Sequence, residues 1–138
     1  MKFNDLAITE VVQDEKYAKV NYYEPIQLIY MEWNGKVTSE QYKETFNKAL
    51  AYADEHKITL FLSDICKRKI TAPSDRQWFE TVALPKAIKK GLKKGAAVFD
   101  GNPFKRYYLN TIFLKTKMYM LPFKFFTSAD KALEWLQR

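Results

Sequence analysis

The chain has 138 residues, 47% of them hydrophobic and 16% aromatic, which is enough to bury one core, and we expect a single domain over residues 1–138. One cysteine and one histidine exclude an internal disulfide and the usual zinc ligand sets. The net charge of +7 is unevenly placed, because residues 66–124 hold 14 of the 23 basic residues and only 3 of the 16 acidic ones.

Two strands precede the first predicted helix. Residues 17–22 alternate between apolar and polar side chains, as a half-buried strand does, and residues 26–33 form a more apolar second strand. Thr38 followed by Gln41 makes a capping box that starts the helix. One face of this helix is apolar at helical spacing and is expected to pack in the core: Tyr42, Phe46, Ala49, Leu50 and Ala53.

A continuous apolar run over residues 58–65 has the pattern of a central strand that is covered on both faces. A basic loop of about nine residues follows Asp64, which exceeds the two to six residues usual in α/β connections. Ser74 opens the second helix as N-cap, with Gln77 completing a capping box. Pro85 is expected to kink this helix or to break it in two, and Gly91 to end it in a left-handed conformation.

The remaining chain predicts two more strands and two more helices. Residues 96–99 form a short buried strand, and Asn102 with Pro103 starts a third helix. Its expected inner face comprises Phe104, Tyr107, Tyr108, Thr111 and Ile112. Residues 123–126 form the last strand, and Ser128 caps a final helix that buries Ala129, Ala132, Leu133 and Leu136. The element order ββαβαβαβα defines an α/β protein.

This order and several local features resemble the STAS domain and its SpoIIAA-like relatives, a bacterial group that includes anti-sigma-factor antagonists. The resemblance covers nearly the whole chain. It is carried by Glu32-Trp33-Asn34-Gly35 at the end of the second strand, by the apolar strand closing on Asp64, by Trp78, by Gly91, and by the terminal stretch 126–136. It implies a single-domain fold with a mixed sheet of four or five strands and helices packed on it.

The same resemblance directs attention to the end of the central strand. The antagonists carry a phosphorylatable serine in a short turn there, and the nearest hydroxyl in this chain is Ser74, which follows Pro73 without a glycine. Phosphorylation of Ser74 is therefore one hypothesis, and a plain N-cap is the other. Open α/β sheets bind ligands just past such strand ends. The predicted ligand- or partner-binding residues are Asp64, Lys67, Arg68, Lys69, Thr71 and Ser74.

No group of residues has the spacing of a catalytic, metal or cofactor site. His56 and Cys66 lie at opposite ends of one predicted strand, some 25 Å apart at ~3.3 Å per residue, which rules out a Cys-His dyad. We therefore expect no enzyme activity, no catalytic residue, no metal and no cofactor.

Five lysines in residues 86–94 could bind anions or simply form the solvated face of a helix. Nucleic-acid binding is disfavoured, because the aromatic residues beside Arg106 fall at core spacing.

Two functional hypotheses remain. The leading one is a non-enzymatic regulatory or interaction module that contacts an unknown protein partner or a small ligand at the loop after Asp64. The alternative is a carrier or sensor of a small apolar or anionic molecule, lipid-like or nucleotide-like, and a closed apolar pocket would favour it. Residues 118–122 could line a pocket or a homodimer interface, or pack in the core. The N-terminal residues lack the features of a signal peptide and no apolar run approaches the ~20 residues of a membrane span, so we expect a cytoplasmic protein.

Overall fold

The computed structural model describes residues 2–138, and Met1 lies outside the described residues. A mixed sheet forms its centre. Its strands lie side by side in chain order: β1 (Glu10–Asp14), β2 (Ala18–Tyr23), β3 (Leu28–Gly35), β4 (Leu60–Arg68), β5 (Lys94–Val98) and β6 (Phe123–Phe126). The β1–β2 and β2–β3 pairs are antiparallel, and the three pairs from β3 to β6 are parallel.

The described sheet has six strands, so the expectation of four or five is wrong. The strand missing from the sequence prediction is β1 at the edge, which pairs with β2. Its register shifts between Val11 and Gln13, and Val11 is 54% exposed while Gln13 is buried. An edge strand with a bulge and an inward glutamine does not show the alternation by which strands are recognised.

Helices cover the two faces of the sheet unequally. On one face lie α1 (Ser39–Tyr52), α2 (Pro73–Trp78), α3 (Leu84–Lys89) and α4 (Pro103–Met118), which bury the larger core. On the other face α5 (Ala129–Leu136) packs with the N-terminal segment around Leu62, Val98 and Leu133. Alternation along β4 sends Phe61 to the first face and Leu62 to the second, which confirms β4 as a central strand.

The helix boundaries follow from caps and glycines in most places. Thr38 and Gln41 form the predicted capping box of α1, and the Ser128 hydroxyl accepts from the Lys131 amide at the start of α5. Gly91 has φ +117°, and the Leu92 amide reaches back to the Ala87 carbonyl at 3.0 Å, so Gly91 ends α3 as predicted.

The start and the interior of the second helical segment differ from the prediction. Ala72 is the N-cap and Pro73 the first helical residue, so Ser74 lies inside α2 rather than capping it. Pro85 does not interrupt the helical backbone, so the expected break in two is not found. A π turn (Phe79–Ala83) connects α2 to α3, and residues 73–89 form one helical segment, which we call the α2–α3 segment. A wider turn immediately before Pro85 relieves the clash between its ring and the preceding turn.

The predicted inner face of α4 is also partly wrong. Phe104 and Tyr107 are each 69% exposed, whereas Tyr108 and Ile112 are buried as expected. The inner position near the start of α4 is taken by Lys105, whose ammonium donates to the carbonyls of Ile65 (2.9 Å) and Cys66 (3.0 Å). A lysine that caps strand carbonyls is satisfied in the interior, and this rotates the aromatic residues beside it towards solvent.

We expect Leu133→Ala to reduce the free energy of unfolding by about 2–5 kcal/mol, because α5 is the main cover of the second face and Leu133 is fully buried in it. The neighbouring Glu134→Ala should change it by less than about 0.5 kcal/mol, since Glu134 is exposed. Urea denaturation of both variants measures the difference. Equal stabilities would show that α5 does not seal that face.

Candidate functional site

The residues predicted as a binding surface lie on three successive parts of the chain, and Arg68, Lys69 and Thr71 line one small cavity. Asp64, Lys67 and Arg68 belong to β4, Lys69 and Thr71 lie in the connection to α2, and Ser74 lies in the first turn of α2. Strand β4 continues to Arg68 because Arg68 still pairs with Gly35 of β3. The connection is therefore residues 69–72, an ordinary length rather than the nine residues expected, and it gives no length-based argument for a functional loop.

Asp64 serves the strand itself. Its carboxylate accepts a hydrogen bond from the Cys66 amide (3.0 Å), where the pairing with β3 shifts register, and from the Tyr30 hydroxyl (3.3 Å). Tyr30 packs in the core on the α5 face, whereas Arg68 contacts aromatic residues of the opposite core. Burial, together with the charge of Asp64, raises the pKa of Tyr30 well above its usual value, so the hydroxyl remains a donor.

Arg68 is buried, with 5% of its surface exposed, and three aromatic rings surround its guanidinium. The guanidinium carbon lies 5.3 Å from the ring centre of Trp33, 5.4 Å from that of Tyr108 and 5.8 Å from that of Tyr42. Within residues 2–138 no carboxylate forms an ion pair with it. Arg68 also lines two small cavities of about 30 and 10 Å³. A buried cation held by π faces thus borders empty space at the end of β4.

Asp75 lies near this arginine cage and is also buried, at 4% exposure. Its carboxylate accepts from the Ser39 hydroxyl at 3.0 Å, which ties the first turn of α2 to the first turn of α1. Burial raises the pKa of Tyr42 well above its usual value, and the proximity of Tyr108 adds to the shift. Sequence reasoning missed Asp75, Trp33 and Tyr108 here, because an aromatic cage assembled from three elements leaves no local pattern.

An apolar cavity of about 60 Å³ lies between α1 and the α2–α3 segment, above β3 and β4. It is larger than the roughly 10–15 Å³ that one water molecule needs, and its walls offer almost no hydrogen-bonding groups. Alanines make up much of the wall where the two helical segments face each other: Ala49 and Ala53 from α1 and its C-cap, and Ala83 and Ala87 from the other segment. Four short side chains at these positions leave the gap.

The rim of this cavity carries one charged side chain. Lys90, at the end of α3, lines the cavity and forms an ion pair with Asp54, which follows α1. The pair joins the C-terminal ends of the two helical segments that bound the cavity. Both side chains are partly exposed, so the ion pair is weak and easily exchanged for another partner. Phe79 and Ala83 of the π turn form part of the cavity wall. Such turns are frequent at functional sites of other proteins.

The lysine-rich run 86–94 is not a uniform cationic surface. Lys90 pairs with Asp54, and the Lys94 ammonium donates to the carbonyls of Trp135 (3.1 Å) and Arg138 (3.0 Å). Lys86, Lys89 and Lys93 are exposed. Two of the five lysines therefore bind other parts of the chain, and only Lys86, Lys89 and Lys93 form an exposed cationic surface.

His56 and Cys66 do not meet. His56 stacks on the Tyr52 ring with the ring centres 3.9 Å apart, at the end of α1, and Cys66 lies in the last part of β4. Burial, with help from the Asp64 carboxylate, raises the pKa of the Cys66 thiol to about 11, which is the opposite of what a nucleophilic cysteine needs. Residues 2–138 contain no cluster of three or more metal-ligating side chains. No helix in the described part of the chain has the length and hydropathy required to cross a bilayer.

Comparison with known proteins agrees with this architecture. The SpoIIAA-like family model matches residues 28–137, and the chain belongs to that family. A solved structure that resembles it is an uncharacterised protein with a SpoIIAA-like fold from Shewanella loihica, with a TM-score of 0.56 and 20% sequence identity over 95% of this chain and 91% of that one. No curated protein matches the sequence. The family membership makes this chain a STAS-type module, and the matched structure shows the shared fold.

Cys66 should be unreactive in the folded protein. At pH 8.5 a thiol with a pKa of about 11 is alkylated about a hundredfold more slowly than an unfolded cysteine, because so little thiolate is present. The iodoacetamide rate of the native protein should rise about tenfold per pH unit up to pH 9.5, whereas the rate of the urea-unfolded chain is at about half its maximum near pH 8.5 and levels off about one unit above. A plateau at or below pH 8.5 in the native protein would reveal an activated thiolate.

Proposed function

We propose that this protein is a non-enzymatic carrier or sensor that binds a small, mainly apolar molecule carrying one anionic group. The observation that supports this proposal is the alanine-lined cavity between α1 and the α2–α3 segment, which no side chain fills. Of the two hypotheses from the sequence, this was the alternative. The apolar cavity favours it over a module whose main contact is the connection after β4.

The walls of the cavity define the apolar part of the ligand. Apart from Lys90, every lining side chain is a hydrocarbon, an aromatic ring or a methionine. A void with such walls stays dry, and the atoms around it lack van der Waals partners on one side. An alkyl segment entering it removes its own apolar surface from water at about 25 cal/mol per Å² and supplies the missing contacts. A volume of about 60 Å³ suits a short alkyl segment rather than a ring system.

Lys90 defines the charged part. Its ammonium lies at the rim and its present partner, Asp54, is 59% exposed, so a carboxylate or phosphate on the ligand can replace Asp54 without the cost of burying a charge. The ligand that fits both features is a short amphiphile with its chain inside and its anionic group at Lys90. Apart from Lys90, which is held in an ion pair, none of the lining residues has a side chain that could act as a nucleophile or a general base, which supports binding without chemistry.

Filling the cavity should abolish ligand binding. We expect Ala49→Leu to place its side chain in the cavity and to lower the affinity for hexanoate at least about tenfold, since the alkyl chain loses its space. Ala51→Leu is the matched control, because Ala51 lies on the exposed side of the same helix. Isothermal titration calorimetry measures both. Equal hexanoate binding by the two variants, or none by the unmodified protein, would contradict the proposal.

Lys90 offers a second test of the same site. In Lys90→Met the affinity for hexanoate should fall while the affinity for hexanol stays within about twofold, because only the charged group of the ligand loses its partner. Lys89→Met controls for the change in net charge on the same helix, since Lys89 is exposed and does not line the cavity. A parallel loss of both ligands in Lys90→Met would show a structural rather than an electrostatic role.

A second candidate function is anion or acidic-partner recognition at the end of β4, and the buried, unpaired guanidinium of Arg68 favours it. In this proposal Asp64 orders the end of β4, and Lys69 and Thr71 line a small cavity beside Arg68. Lys67 is exposed next to Arg68 in β4, and the exposed Ser74 is the phosphorylation candidate. Inorganic phosphate or sulfate should protect the folded state. The Lys67→Glu/Lys69→Glu variant should lose that protection while its melting temperature without anions changes by less than about 2 °C. Unchanged protection would remove this candidate.

A further inference from the structure

The outer face of α4 carries a row of large apolar side chains that residues 2–138 leave uncovered. Phe104 and Tyr107 are each 69% exposed, Leu114 is 63% exposed and Met118 is 73% exposed. With Thr111 between them, these residues follow a spacing of three, four, three and four, which is the a and d pattern of a heptad repeat. We call the five positions the α4 seam.

A small rotation of α4 cannot bury the seam in the domain core. The opposite face of the helix is fixed by Tyr108, Leu109, Ile112 and Thr116, which are buried, and by Lys105, whose ammonium binds strand carbonyls and the Asp100 carboxylate. Two opposed faces of one helix are thus apolar, and only one has a partner within the domain. Large exposed apolar patches of this kind mark interaction surfaces.

The width of the seam indicates the kind of partner. A strict a/d stripe is the narrow contact of one helix with another, whereas helices that lie on a membrane surface present a broad apolar face. The residues next to the seam, Asn110, Lys115 and Lys117, are polar or charged and keep the stripe narrow. The pattern therefore favours a helix as the occupant.

Charge decides which helix can bind. Lys115 and Lys117 border the seam on its two sides, at the e and g positions of the heptad, and α4 contains four basic residues and no acidic one. A second copy of this chain would bring lysines opposite lysines or neutral side chains, so self-association gains no complementary charge. We infer that the α4 seam docks an acidic amphipathic helix of another protein, with apolar side chains against the seam and carboxylates against Lys115 and Lys117.

The predicted complex is transient. Sixteen residues of α4 span about 24 Å at 1.5 Å per residue, enough for two heptads, and a contact of that size belongs with weak and reversible interfaces. The seam lies on α4, whereas the proposed ligand cavity is bounded by α1 and the α2–α3 segment. Occupation of one site therefore does not require the other.

A synthetic helix tests the inference. The probe has about 18 residues, enough to match α4 at 1.5 Å per residue, with Leu at a and d positions and Glu at e and g, and its matched control carries Lys in place of Glu. Fluorescence anisotropy of labelled peptide should show micromolar binding of the Glu peptide by the full chain and at least about tenfold weaker binding of the Lys peptide. Equal affinities for the two peptides, or no binding of either, would overturn the proposal.

Substitutions in α4 test whether the Glu peptide binds at the seam. Leu114→Ser/Met118→Ser should weaken binding of the Glu peptide at least about tenfold, while Phe113→Ser, which lies off the seam, should change it less than about twofold. Thermal melts confirm that all variants fold. Unchanged binding by the double variant would contradict the assignment.

Two other results would also overturn it. One is sedimentation of the unmodified chain as a dimer that dissociates in the double variant. The other is that the unmodified chain binds phosphatidylglycerol vesicles but not the Glu peptide, and that the double variant no longer binds the vesicles.

Discussion

Phe46 packs its ring against five other aromatic rings, and the approach of α1 and the α2–α3 segment to the sheet depends on these contacts. The ring centre lies 4.9 Å from that of Tyr42 and 5.0 Å from that of Phe79, with Trp33, Phe61 and Trp78 at 5.6 to 6.3 Å. Rigid rings act as spacers that flexible aliphatic side chains could not provide. On one side of this cluster alanines leave the apolar cavity, and on the other Arg68 sits in its cage. Phe46 lines both the apolar cavity and the larger of the two small cavities beside Arg68, so both candidate binding sites border this cluster.

The unfilled cavity lowers the free energy of unfolding of this protein. Unfilled core volume destabilises a fold by about 24 cal/mol per Å³, so this space of about 60 Å³, which opens at the rim beside Lys90, lowers the free energy of unfolding by at most about 1.5 kcal/mol. Replacing one alanine by a larger side chain would recover part of that energy, because cavity filling is among the simplest routes to greater stability. A ligand with an alkyl chain recovers it without any change in sequence. The alanines at positions 49 and 87 are therefore consistent with a site kept open for an occupant.

Local signals predicted most of the fold, and tertiary contacts decided the rest. The Thr38 and Ser128 caps, the Gly91 stop and the central strand depend on residues within one or two turns of each other, so pattern reasoning found them. The prediction of Ser74 as N-cap was wrong because the helix begins one residue earlier, at Pro73, a residue that suits the first helical position. The burial of Arg68 could not be predicted, since the sequence placed it in a basic loop after the central strand and its cage comes from β3, α1 and α4. The cavity is a property of two facing segments and is invisible in either one.

The central claim, that the cavity between α1 and the α2–α3 segment holds a small amphiphile, is tested most directly by native mass spectrometry of the protein purified from the organism that makes it. We expect a population heavier than the polypeptide, which returns to the polypeptide mass when the protein is denatured and releases a molecule with a short alkyl segment and one anionic group. The polypeptide mass alone, or a released molecule without an apolar part, would contradict the account.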